Sequence, residues 1–218
     1  GAVDASVYSA TIVYETDTDR ITVKGDYVIE KVTVQLVTNQ ELVKIYDGKP
    51  FTFNADEFTV KIFGTNTVLP ALKVRSCEVT PVIDVEYNTN GTAAAQSVTL
   101  NRADIVLAGN GEIVREENIE YVQQSFDVTV QPKSLTFSID TSNMKQGTYE
   151  PSSVLKIDGL IDGNEITYDE DIVVYAHPDG NAYFTIKENG KLVFTVTDKG
   201  RDVTNNYKIT QEQIRIPY

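Results

Sequence analysis

Tyr183-Phe184-Thr185-Ile186-Lys187-Glu188-Asn189-Gly190-Lys191-Leu192-Val193-Phe194-Thr195-Val196 reads as a β-hairpin, and most of the chain reads in the same terms. Two runs rich in β-branched and aromatic residues, the types that fit a pleated surface, flank Asn189-Gly190. That dipeptide supplies the positive φ that a two-residue turn of the correct twist requires. Apolar residues recur at every second position elsewhere too: Val32, Val34 and Leu36; Phe58, Val60 and Ile62; Phe126, Val128 and Val130; Leu135, Phe137 and Ile139. In an extended chain residues i and i+2 share a face, so each set predicts one buried strand face. Turn signals separate the runs at Tyr46-Asp47-Gly48, Asn90-Gly91, Gly109-Asn110-Gly111, Asp162-Gly163-Asn164 and Pro178-Asp179-Gly180. Residues 101–107 are the one modest helix candidate, and they read equally well as a short turn or strand. Many short strands with turns between them indicate an all-β sandwich fold.

Length and composition bound the organisation. The 218 residues allow one large domain or two of common size. With 41% hydrophobic and 23% charged residues the chain reads as globular rather than disordered. No apolar run approaches the ~20 residues of a membrane helix, so membrane insertion is not expected. The formal net charge is -13, with 10 basic and 19 acidic residues in 1–127 and 9 and 13 in 128–218. Both parts would repel a phosphate backbone, which argues against nucleic acid as a partner. Cys77 is the only cysteine, so no intrachain disulfide can form. No signal peptide opens the sequence; the expected leader is one removed before Gly1.

An internal repeat points to two domains, 1–127 and 128–218, with 1–27 an unassigned extension or a set of first strands. Val32-Thr33-Val34-Gln35 recurs as Val128-Thr129-Val130-Gln131. Behind the first copy comes Lys44-Ile45-Tyr46-Asp47-Gly48-Lys49-Pro50, and behind the second Lys145-Gln146-Gly147-Thr148-Tyr149-Glu150-Pro151. Gly111-Glu112-Ile113-Val114 followed by Ile119-Glu120-Tyr121 is matched by Gly200-Arg201-Asp202-Val203 followed by Tyr207-Lys208-Ile209. Three matches in one order exceed what a Val/Thr-rich chain gives by chance.

On these residues the chain resembles the YDG- or MBG-type bacterial immunoglobulin-like surface repeats, over about residues 28–218. The opening Lys-x-Tyr-Asp-Gly-x-Pro motif is intact in the first unit, at 44–50, and the closing Gly-x-Asp-Val-Thr-x-Asn-Tyr-x-Ile motif in the second, at 200–209. The opposite end of each unit is degenerate. The resemblance implies tandem immunoglobulin-like β-sandwich modules of a large cell-surface protein, extracellular, with further domains of the same chain around them and no active site. Asp47-Gly48 would form a tight turn, Pro50 would open an edge strand, and Tyr207 would bury its ring while its hydroxyl finds a partner.

Candidate chemistry is sparse, and no catalytic, cofactor or metal residue is assigned. His177 is the only histidine and reads as a solvated turn residue in His177-Pro178-Asp179-Gly180-Asn181. Cys77 reads as a small buried apolar residue. Tyr168-Asp169-Glu170-Asp171 is the densest acidic stretch; on a strand its side chains would alternate faces, while a loop could offer oxygens to calcium. No phosphate-binding glycine loop or dinucleotide fingerprint occurs. Lys133 and Asn206, near strand ends, form a candidate pair for an internal Lys–Asn cross-link. The expectation is a non-enzymatic structural or adhesive module whose partner is a cell-surface protein or glycan. A carbohydrate-binding module is the alternative, and an exposed row of tyrosines is the feature that would favour it; a hydrolase accessory domain is the weakest reading.

Overall fold

The computed structural model describes residues 4–115, 117–122 and 124–218. It is almost wholly β and built of several sheets. The first strands are β1 (Ser6–Glu15), β2 (Arg20–Ile29), β3 (Val32–Thr38), β4 (Leu42–Ile45) and β5 (Phe58–Ile62). They are followed by β6 (Leu72–Val79), β7 (Ala95–Leu107), β8 (Ile119–Tyr121) and β9 (Gln124–Gln131). Residues 101–107, the helix candidate, are thus the end of a long strand. Beyond them come β10 (Lys133–Ser134), β11 (Thr136–Ile139), β12 (Gly147–Tyr149), β13 (Leu155–Asp158), β14 (Asn164–Tyr168), β15 (Val174–Ala176) and β16 (Asn181–Thr185). The last are β17 (Lys187–Glu188), β18 (Lys191–Leu192), β19 (Phe194–Asp198), β20 (Arg201–Asp202), β21 (Tyr207–Lys208) and β22 (Gln213–Pro217).

The chain divides into two compact units. Unit 1 comprises Gly1–Leu42, Thr52–Pro81 and Ser97–Asp127; unit 2 comprises Val43–Phe51, Val82–Gln96 and Val128–Tyr218. Asp127, where the sequence places a boundary, lies inside β9. Unit 2 also draws in two segments from the first half of the chain.

In unit 1, β3 pairs antiparallel with β5, Leu36 opposite Val60, and parallel with β8, Val34 opposite Tyr121. The Gln124 carboxamide oxygen accepts the Leu36 N–H at 2.6 Å and so extends the closing edge. Alternation puts Val34, Leu36, Phe58 and Val60 on one face, where they pack with Val74, Leu100 and Ile105. Cys77, on β6, is half-buried against this core, and burial pushes its thiol up to about 11, as suits a small apolar filler. The first 27 residues, unassigned from sequence, fall largely in the β1–β2 hairpin, paired from Ser6–Ile29 out to Glu15–Arg20.

In unit 2 a related set of pairings recurs. β11 pairs antiparallel with β13, and β10 runs parallel to β21. The Gln211 carboxamide brackets the Phe137 backbone, accepting its N–H at 2.8 Å and donating to its carbonyl at 3.1 Å. Each returning antiparallel strand follows a short helical turn, Ala55–Glu57 before β5 and Pro151–Val154 before β13. Residues 133–139 therefore have pairings like those of 32–38. Val128-Thr129-Val130-Gln131 does not: it lies on β9, whose neighbours are β4 and β7. Leu135, Phe137, Ile139, Phe184, Phe194 and Val196 form the core with Tyr46. Gly159 is required here, since its φ is +91° and an added Cβ would lie 2.1 Å from the Ser134 carbonyl oxygen.

The Asn189-Gly190 turn is as the sequence predicts. Both residues have positive φ, 49° and 80°, and Lys187 faces Leu192 across it.

Candidate functional site

The residues of the two intact motifs meet inside unit 2. Lys44 donates through Nζ to Asp47 Oδ1 at 2.6 Å and to the Lys49 carbonyl at 2.8 Å, and Asp47 Oδ1 also accepts the Lys49 N–H. Burial pushes the Asp47 carboxyl up, but these donors outweigh it and hold the group below its ordinary value. Pro50, expected to open an edge strand, lies outside any strand, and the chain is tied down one residue later by Phe51 N–H to the Val82 carbonyl. The Tyr46 ring meets Tyr207 edge-on at 5.6 Å. Tyr207 is buried and donates its hydroxyl to Asn164 Oδ1 at 2.8 Å, as expected of a corner tyrosine.

Asn206 is the one buried polar residue among the described residues. Its amide donates to Asp84 Oδ1 at 2.7 Å, and its oxygen accepts the Val85 N–H at 2.7 Å. Arg201 pairs with the other Asp84 oxygen. The Asn206 carboxamide, one half of the proposed Lys133–Asn206 cross-link, is thus engaged by Asp84 and Val85. This arrangement ties backbone at its centre, while the Arg201 and Asp84 side chains at its rim stay about half exposed.

A second arrangement does face solvent. β12, β15, β16 and β22 form one sheet in that order, with Thr148 opposite Tyr175, Tyr175 opposite Tyr183, and Tyr183 opposite Arg215. Val174, Ala176, Ala182 and Phe184 occupy the buried face, so alternation carries Tyr175 and Tyr183 to the other. The Arg215 guanidinium lies 5.5 Å from the centre of the Tyr183 ring, a cation–π contact. The His177 ring stands edge-on to both tyrosines, at 5.5 and 6.3 Å. Tyr183 donates its hydroxyl to Asp179 Oδ2 at 2.8 Å; that bond leads the causes holding the Asp179 carboxyl down at about 2, and it raises the Tyr183 hydroxyl. Aromatic faces, a cation and an ionised carboxylate side by side can stack and hydrogen-bond a polar ring. His177 is indeed in a turn, its Nδ1 accepting the Asp179 N–H at 3.3 Å, and among the described residues no nucleophile is paired with it.

Sequence reasoning passed over this row. Its signal was present in Tyr175 and Tyr183, each flanked by small or apolar neighbours, but the register that aligns them depends on the turn closed by His177 N–H to the Asn181 carbonyl. The Tyr168–Asp171 acidic stretch leaves β14 into a turn beside a hollow of about 570 Å³, with Asp171 at φ 68°. Among the described residues no three His, Cys, Asp or Glu side chains gather as a metal-ligand set, and no helix is long and apolar enough to cross a membrane. Compared with protein-family models, curated proteins and solved structures, the chain matches none.

Proposed function

We propose that the chain is a non-enzymatic structural or adhesive module of a bacterial cell-surface protein, its two units being tandem immunoglobulin-like sandwich domains of the YDG/MBG type. The carrying observation is where the motif side chains go. Lys44, Asp47, Asn206 and Tyr207 bind backbone and one another within unit 2, the work of residues kept for architecture. The repeat reading draws further support from the shared pairings of β3 with β5 and β8, and of β10–β11 with β21 and β13. In this reading the duplication is offset from the Val-Thr-Val-Gln match, with 133–139 equivalent to 32–38. Stacked modules of this kind carry a contact surface away from a cell. A panel of extracellular-matrix proteins and a glycan array, run beside turnover assays on ester, glycoside and peptide substrates, test it: catalysis abolished by changing Asp179 or His177 would refute a non-enzymatic role.

The Tyr175–Tyr183–Arg215 row favours a second reading, a carbohydrate-binding module, because the exposed Tyr175 ring and the half-buried Tyr183 ring beside charged hydrogen-bonding groups suit sugar rings. A saturating glycan whose binding is lost in Tyr183→Ala and Tyr175→Ala, with unchanged melting temperature, would establish this reading. Glycan binding indifferent to both substitutions would dismiss the row.

A further inference from the structure

The β1–β2 hairpin is a ribbon with one largely apolar, uncharged face and one mixed face that holds its charges. Register places Tyr8 opposite Tyr27, Ala10 opposite Gly25, Ile12 opposite Val23 and Tyr14 opposite Ile21 on one side. The other side carries Val7 opposite Val28, Ser9 opposite Asp26, Thr11 opposite Lys24, Val13 opposite Thr22 and Glu15 opposite Arg20, so it mixes valines with the charged and polar residues. Every formal charge in the two strands thus falls on the second side. The apolar side is nonetheless in solvent: Ile12 is 69% exposed, Tyr14 62%, Val23 57% and Ile21 56%. Among the described residues the foot of the ribbon is fastened, Asp4 to Arg115 and Asn118, and the Ala5 N–H to the Asn118 side chain.

A continuous apolar strip without a formal charge ordinarily marks a buried face. Each strand is about 33 Å long, so the strip covers a few hundred Å², at the upper end of what monomer surfaces expose. Ile12, Tyr14, Ile21 and Val23, each more than half exposed, supply most of what a partner can cover, which puts the contact below the roughly 800 Å² per side of a standard interface and in the range of a weaker pairing. Charge permits a second copy at this strip and at few other places. Two copies of a chain of net charge -13 repel wherever charged surfaces meet, and this strip carries no formal charge.

We propose that a second copy of this chain covers the strip, the two ribbons packing apolar face to apolar face about a two-fold axis at the Ala10–Gly25 rung. The rungs are graded for that symmetry. With the small Ala10–Gly25 pair on the axis, each bulky Tyr8–Tyr27 rung lies over the other copy's smaller Ile12–Val23 rung. Large thus meets small, as interdigitated sheet faces require. An isologous contact of this kind closes on itself and leaves no free strip to propagate a filament. The proposal stands apart from the functional reading, since a spacer, an adhesin or a glycan-binding module could equally be paired.

Sedimentation velocity of the full chain between about 1 and 100 μM, a range that reads a micromolar Kd, is the test. A monomer–dimer shift is expected. Val23→Lys should weaken it at least about tenfold by setting a charge in the strip, whereas Val13→Lys, on the other face, should leave it in place. Both variants should keep the dilute-solution melting temperature of the unmodified chain. Under mild oxidation Ala10→Cys should form a covalent dimer and Thr11→Cys should not, each compared with the unmodified chain carrying Cys77 alone. A monomer throughout the range, a dimer indifferent to Val23→Lys, or cross-linking through Thr11→Cys rather than Ala10→Cys would overturn the proposal.

Discussion

The molecule holds two antiparallel hairpins of similar sequence character and opposite fate. In the one turning at Asn189-Gly190, the strands stay paired close to the turn, across Glu188–Lys191 and Lys187–Leu192 with the Val193 N–H still donating to the Ile186 carbonyl. They then part, β16 joining β15 and β22 while β19 joins β14 and β20. The alternating Ala182, Phe184, Ile186, Phe194 and Val196 become core, each at most 2% exposed. In β1–β2 the strands stay paired for all ten rungs, and the apolar alternation faces water. Alternation therefore specifies a strand, while burial needs a second layer. A lone two-stranded ribbon is at best marginally stable in water.

The sharpest way to break this contrast is to truncate one apolar side chain in each hairpin. Phe184→Ala should cost about 3–5 kcal/mol in urea unfolding, whereas Val23→Ala, in dilute solution, should stay within about 0.5 kcal/mol. Comparable losses would mean that the ribbon belongs to a core. Next in size is Asn206→Ala, which leaves the buried Val85 N–H without its acceptor and should lower stability by about 1–3 kcal/mol, readable as a lowered melting temperature. Glycines sharpen the comparison further. Gly190→Val should cost about 1 kcal/mol or more, because its φ of 80° excludes β-branched residues; Gly25→Val, where a Cβ meets nothing within 4 Å, should change stability by less than about 0.5 kcal/mol in dilute solution.

The smallest expected effect is acid-dependent. Asp179 has its folded value lowered from 3.8 to about 2. Between those values the unfolded chain binds more protons, so stability rises with pH across that window and is lost as pH falls through it. Tyr183→Phe removes the leading cause, and a carboxyl NMR titration should then show Asp179 returning toward its ordinary value. A titration unmoved by the substitution would place the cause elsewhere.

The strands and turns were legible because their signals are local. The period of two at Val34–Leu36, Phe58–Val60 and Leu135–Phe137 predicted buried faces that the core contains, and Asn189-Gly190 predicted its own turn. What was hidden depends on pairing over long range. Nothing in Tyr46 announces that its ring meets Tyr207, and the Thr148–Tyr175–Tyr183–Arg215 row exists only through the register of four strands. The Val-Thr-Val-Gln match misled about equivalence for a related reason. Four residues with strand propensity repeat easily, whereas the pairings and the Gln124 and Gln211 carboxamides that accept a strand N–H single out 32–38 and 133–139. For 1–27 the alternation was present but unread, since no flanking motif framed it.

Hydrogen–deuterium exchange on the full chain at submicromolar concentration tests most directly the claim that alternation makes the strand and a second layer makes the core. Amides of β3, β11, β16 and β19 should exchange only through global opening, while those of β1 and β2 should exchange through local opening orders of magnitude sooner. Ribbon amides protected as strongly as those of β16 in the dilute chain would contradict the account.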